Sequence, residues 1–104
     1  MKSYIVEITD EALNDMEQLY QYIAVNLRSP GNALGQYNRI ADEIVKLDVF
    51  PEKFSLMDSE PERAKGLRRM PVDHYFVFYV IWGNRVIVTD VLYSASDINK
   101  RLKG

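Results

Sequence analysis

Eight consecutive apolar or aromatic residues, YFVFYVIW from Tyr75 to Trp82, constrain this chain more than any other stretch. A strand with one solvated face alternates apolar and polar residues, so an unbroken run bounded by turn residues reads as a strand covered on both faces. Gly83-Asn84 supplies a two-residue hairpin turn, and RVIVTDVLY supplies the next strand. Upstream, GLRRMPV places Arg68 and Arg69 on a preceding strand; downstream, a small polar cluster runs to Asp97. The stretch is therefore an antiparallel β-meander with a basic edge. Its aromatics Tyr75, Phe76, Phe78, Tyr79 and Trp82 are expected in the core.

The first half predicts the other layer. Tyr4 to Ile8 alternates as a short strand, and Thr9 is placed to cap a helix whose first turn carries Asp10 and Glu11, where the helix dipole favours acids. Leu13, Met16, Tyr20, Ile23 and Leu27 recur at three- and four-residue steps and make one apolar stripe. Ser29-Pro30 restarts helix, with Ser29 as cap and Pro30 in the first turn. Ala33, Tyr37, Ile40, Ile44 and Leu47 form a second stripe that stops before Pro51. Two helices joined by so short a link pack as an antiparallel hairpin on the sheet. From Pro51 to Lys65 no period survives, and a loop is expected. The predicted fold is α+β: an N-terminal strand, a helical hairpin on a three- to four-stranded antiparallel sheet, and a short C-terminal helix from Ser96, in one domain. One hairpin covers only one face of the meander, so the final helix and a partner protein are expected to shield the other.

Composition narrows the chemistry. With 104 residues and 47% hydrophobic content, the chain suits a single core. No apolar run approaches the length of a membrane span, and the acids in MKSYIVEITDEA do not suit a signal peptide, so a cytosolic protein without membrane association is expected. The absence of cysteine excludes disulfides and thiolate chemistry, and one histidine argues against structural zinc; no metal or cofactor is expected. The net charge of −2 hides a division: residues 1–62 hold 5 Lys/Arg against 12 Asp/Glu, and residues 63–104 hold 8 against 3. The basic half suits a polyanion or an acidic peptide, unless the two halves neutralise each other within the fold.

The element order, together with GLRRMPVDHYFVFYVI and VLYSASD, resembles the RelE/ParE superfamily of bacterial type II toxins. The resemblance extends over nearly the whole chain: the capped helix TDEALNDMEQLYQYI, the Pro30 entry to the second helix, the Leu47 to Pro51 exit, an Arg-rich strand followed by a Tyr-x-x-x-Tyr strand, and a valine-rich strand ending where the family usually has His-x-x-Arg-Asp. It implies the toxin of an addiction or plasmid-stabilisation module, held inactive by a cognate antitoxin in a cytosolic, higher-order complex. An acidic antitoxin segment that folds on binding matches the basic second half.

Two activities occur in the superfamily. RelE-like toxins cleave messenger RNA on the ribosome without metal, which needs a base for the ribose 2′-hydroxyl, an acid for the leaving oxygen and cations for the developing charge. The resemblance carries these roles onto Arg68, Arg69, His74, Tyr93 and Asp97, with Lys65, Lys100 and Arg101 as RNA contacts. Of the two arginines only one can face the cleft, because strand neighbours point to opposite faces. His74 is either the general base or a turn residue, and Asp97 either catalytic or a helix cap. The family's arginine falls at Ser96, a missing cation that Lys100, Arg101 or Lys103 would have to replace. ParE-like toxins instead poison DNA gyrase by protein contact and need no catalytic set, which the long helical hairpin favours. Messenger-RNA cleavage is ranked narrowly ahead, gyrase poisoning second, and a diverged non-toxic binding module third.

Overall fold

The computed structural model describes residues 3–102. Seven main elements follow one another: β1 (Ile5–Ile8), α1 (Asp10–Gln21), α2 (Pro30–Val45), β2 (Arg68–Val72), β3 (Tyr75–Trp82), β4 (Arg85–Tyr93) and α3 (Ile98–Leu102). The α+β architecture is as expected, with four strands in the order β1-β4-β3-β2. The meander is antiparallel, and Gly83, at φ 62°, makes the expected turn between Trp82 and Arg85. β1, however, runs parallel to β4, Val6 opposite Val86, so the sheet is mixed. The helical hairpin separates β1 from the meander, and no tight turn forces those two strands to oppose each other.

Thr9 caps α1 as predicted, its Oγ1 accepting from the Ala12 N–H at 3.1 Å. The buried stripe of α1 is Ala12, Met16 and Leu19 rather than Leu13, Met16 and Tyr20. The two stripes differ by about one residue of helical phase, and the apolar Ala12 and Leu19 were available to either. Leu27 leaves the stripe altogether. A π-helical turn, Tyr22–Asn26, follows α1 and slows the rotation of the chain, which turns Val25 and Leu27 outward. Ser29 occupies the cap position of α2 without a side-chain bond to the helix; its carbonyl accepts from the Ala33 N–H instead. The stripe of α2 holds, with Ala33, Ile40, Ile44 and Leu47 buried and Tyr37 partly so.

β3 divides its side chains between two cores. Val77 and Tyr79 face the helical hairpin together with Met16, Ile40, Ile44, Val86 and Val88. Phe78 faces the opposite side, where Met57, Leu67 and Leu92 join it and Phe76, Ile98 and Leu102 pack alongside. Much of the shield over the second face therefore comes from the aperiodic segment after Pro51 and from α3. Phe78 and Tyr79 are fully buried and Tyr75 and Phe76 partly, but Trp82 at the hairpin tip is 76% exposed, in contrast to its expected place in the core. The shield stops short of it.

Both margins of the sheet are partly covered by the chain itself. Ser3 bridges to Val49 beside β1, and the Tyr4 N–H donates to the Asp48 carbonyl. Along β2, the outward N–H of Arg69 donates to Ser55, the Leu67 carbonyl accepts from Met57, and Pro71 has no N–H to offer. Beyond the end of β1, α1 takes over the margin of β4: the Asp15 carboxylate accepts from the Val91 N–H at 2.9 Å. Thr89 is the extra residue of a bulge between Phe78–Asp90 and Tyr79–Val88, and its hydroxyl donates to the Phe78 carbonyl.

Candidate functional site

Strand alternation decides between the two arginines. Arg68 is opposite Tyr79, and its guanidinium donates to the carbonyls of Phe54 at 2.7 Å and Glu52 at 3.3 Å. It ties the Pro51 segment to the sheet. Arg69 is opposite Phe78 on the other face, and its guanidinium lies 4.5 Å above the Phe76 ring. It has no carboxylate partner among the described residues. Arg69 lines a cleft of about 740 Å³ between residues 53–59 and the start of α3, shared with Lys53, Phe76, Ser96 and Asp97. Lys53 rests similarly over the Phe54 ring at 5.3 Å.

Asp97 also caps α3, its carboxylate accepting from the Lys100 N–H at 3.3 Å. Ser96 Oγ donates to the Tyr93 carbonyl, so the hydroxyl standing at the family's arginine position is spent locally.

His74 and Tyr93 lie elsewhere. His74 belongs to the two-residue turn between β2 and β3, where its carbonyl accepts from the Ser94 N–H. With Tyr75, Tyr93 and Arg101 it borders a second groove of about 660 Å³, walled on the other side by Gln18 and Tyr22 of the hairpin and Gln36 and Arg39 of α2. Tyr75 and Tyr93 meet edge to face at 5.7 Å. Burial, then the neighbouring hydroxyls of Tyr93 and Tyr22, push the Tyr75 phenol above its ordinary range. The turn is fixed to α2 through Asp73, whose carboxylate accepts from Arg39 Nε at 2.8 Å and Gln36 Nε2 at 3.0 Å; these bonds hold its pKa below the usual value. Lys65 and Lys100 are exposed and line neither cavity. Lys103 lies outside the described residues.

The two sequence halves scarcely neutralise each other: among the described residues, Arg85–Glu7 at 3.4 Å is the one ion pair joining a cation of the second half to an acid of the first. Sequence reasoning missed Lys53 and the use of Phe76 as a platform for Arg69. Cross-strand pairing of Arg69 with an apolar partner was the available signal, but it required the register.

Acids crowd the junction of α1 and β4. Burial raises the carboxyl pKa of both Asp15 and Asp90; Glu11 adds to this, while hydrogen bonds and Arg101 pull the other way. A carboxyl raised on folding stabilises the native state below its unfolded pKa, and that contribution disappears as pH rises through the folded value. Asp90→Asn should therefore raise the urea midpoint at neutral pH and leave it nearly unchanged in acid, as equilibrium unfolding at the two pH values will show.

A mixed four-stranded sheet with a helical hairpin on one face and a short C-terminal helix on the other is the architecture of the RelE/ParE superfamily of toxins. Residues 6–98 match the ParE toxin family of type II toxin-antitoxin systems, parDE, and the chain belongs to that family. No curated protein matches the sequence. Among solved structures, the chromosomal ParDE system from P. aeruginosa contains a chain with the same fold, at TM-score 0.73 and 18% identity, covering 88% of this chain and 96% of that one. The RelBE2 toxin-antitoxin complex of Mycobacterium tuberculosis follows at 0.64 and 17%, over 88% and 98% of the two chains. A free mutant form of the E. coli toxin RelE superposes at 0.64 and 12%, over 95% and 92%. Among the described residues, no helix is long and apolar enough to cross a membrane.

Proposed function

We propose that this protein is a growth-arresting toxin that acts by docking on a protein target, DNA gyrase, and is silenced in the cytosol by a cognate acidic antitoxin within a higher-order complex. The observation that carries this reading is the separation of the groups nuclease chemistry would need. Arg69 and Asp97 share one cleft, His74 and Tyr93 border another, Arg68 is bound to backbone carbonyls, and Ser96 provides no cation. A base, an acid and a charge-stabilising cation have to converge within hydrogen-bond reach of one scissile group. This reverses the order expected from sequence. The antitoxin part of the proposal is supported by Lys53 and Arg69 in the first cleft, which have no carboxylate partner among the described residues, and by the RelBE2 and archaeal RelE–RelB structures, which are toxin-antitoxin complexes.

Messenger-RNA cleavage remains the second reading because that cleft joins Arg69 and Lys53 with Asp97. Induced expression without antitoxin separates the possibilities. Docking predicts growth arrest by wild type, Arg69→Ala and Tyr93→Phe alike, with inhibition of gyrase supercoiling by purified protein. Loss of arrest in both variants, accompanied by cut transcripts in primer extension, would establish cleavage instead. A wild type that leaves growth unaffected would identify a non-toxic binding module.

A further inference from the structure

The tip of the helical hairpin is the most unusual surface of the molecule. From Gln18 to Asn38, 21 residues contain one charge, Arg28, in a chain that is 27% charged. At the average density that stretch would carry five or six. Tyr22, Val25, Leu27 and Leu34 within it are each more than half exposed. Depletion of charge combined with exposed aromatic and aliphatic side chains distinguishes the centre of a protein interface from ordinary surface.

The tip is also well built. The Leu27 N–H donates to the Tyr22 carbonyl at 3.1 Å and the Ser29 N–H to the Ile23 carbonyl at 3.1 Å, so the π-helical turn is hydrogen-bonded while it directs Val25 and Leu27 outward. Tyr22, Ile23 and Leu27 continue from the tip into the groove that ends at Tyr75 and Tyr93.

Resting on the docking reading above, we propose that this tip, Tyr22, Val25, Leu27 and Leu34, is the surface that engages the toxin's protein target, through an apolar and uncharged patch on that target. Charge separates the candidate occupants. An acidic antitoxin segment is drawn to unpaired cations such as Lys53 and Arg69 in the cleft on the other sheet face, and finds one arginine at the tip. A two-fold contact between copies would bring two Arg28 side chains to one interface with no acid between Gln18 and Asn38 to pair with either. A neutral target surface meets neither obstacle. Recognition without charge also leaves the basic face free for regulation.

The test uses purified gyrase as probe and the double variant Val25→Asp/Leu27→Asp, whose positions are exposed; circular dichroism and thermal melting check that the fold is kept. Wild type is expected to inhibit supercoiling, the variant to be at least 100-fold weaker, and the wild-type affinity for gyrase to change less than about threefold between low and physiological salt. A folded variant as potent as an active wild type overturns the proposal while leaving the docking reading intact. So does a wild-type dimer in sedimentation that the variant converts to monomer, which assigns the tip to a second copy. A wild type without effect on gyrase removes the docking reading itself.

Discussion

Phe78→Ala should lower the unfolding free energy by about 3–5 kcal/mol, a large share of the roughly 5–15 kcal/mol that holds a domain of this size together. Phe78 is completely buried beneath Met57, Leu67 and Leu92, on the sheet face away from the helical hairpin, covered by residues 57–67 and α3. A short helix and an irregular segment have little structure of their own to preserve, so their attachment depends on this one ring more than the helical hairpin does. Hydrogen exchange should accelerate first in α3 and around Met57, with α2 protected until global unfolding. Should truncation leave the variant mostly unfolded, Phe78→Leu provides the same comparison at smaller amplitude. Equal loosening of both faces, or a loss near 1 kcal/mol, would mean that the two cores are not separate.

Tyr79→Ala is the complementary experiment, with an expected loss of similar size, about 3–5 kcal/mol, but on the opposite face. Tyr79 is fully buried with the hairpin core, and its hydroxyl donates to the Pro51 carbonyl at 2.5 Å. Burial pushes its pKa up to about 12, so the phenol remains a donor throughout the pH range in which the protein would be handled. Tyr79→Phe isolates that bond: the ring stays, the Pro51 carbonyl loses its partner, and the expected loss falls to about 1–3 kcal/mol. Equilibrium urea unfolding of the three variants separates packing from hydrogen bonding. If Tyr79→Phe cost as much as Tyr79→Ala, the hydroxyl rather than the ring would be the principal anchor.

These adjacent residues also show what could be read from the sequence. An unbroken apolar strand announced two covered faces, and that expectation holds except at Trp82, which is exposed. The identity of the second cover did not follow, because residues 54–67 have neither helical nor strand period, and nothing local in Met57 or Leu67 marks them as core. The α2 stripe was legible because its apolar residues fall in a single phase. The α1 stripe was ambiguous because Ala12 and Leu19 offered a second phase beside Leu13 and Tyr20. Leu27 was misplaced by a π-helical turn, a change of pitch that no three- or four-residue pattern encodes. For the site, alternation predicted that Arg68 and Arg69 would part company but not which would reach the cleft. That depended on where the Pro51 segment lay, since its carbonyls capture Arg68. The position of His74 and Tyr93 on a different groove from Arg69 likewise arises from three-dimensional placement that strand order alone leaves open.

The partly covered sheet margins bear on how a copy of this chain behaves when nothing else is bound to it. Backbone seams left bare along a whole edge strand would invite copies to pair edge to edge and aggregate. With Ser55 occupying the amide of Arg69, Pro71 contributing none, and Val49 laid beside Ser3, much of that seam is already taken by the chain itself.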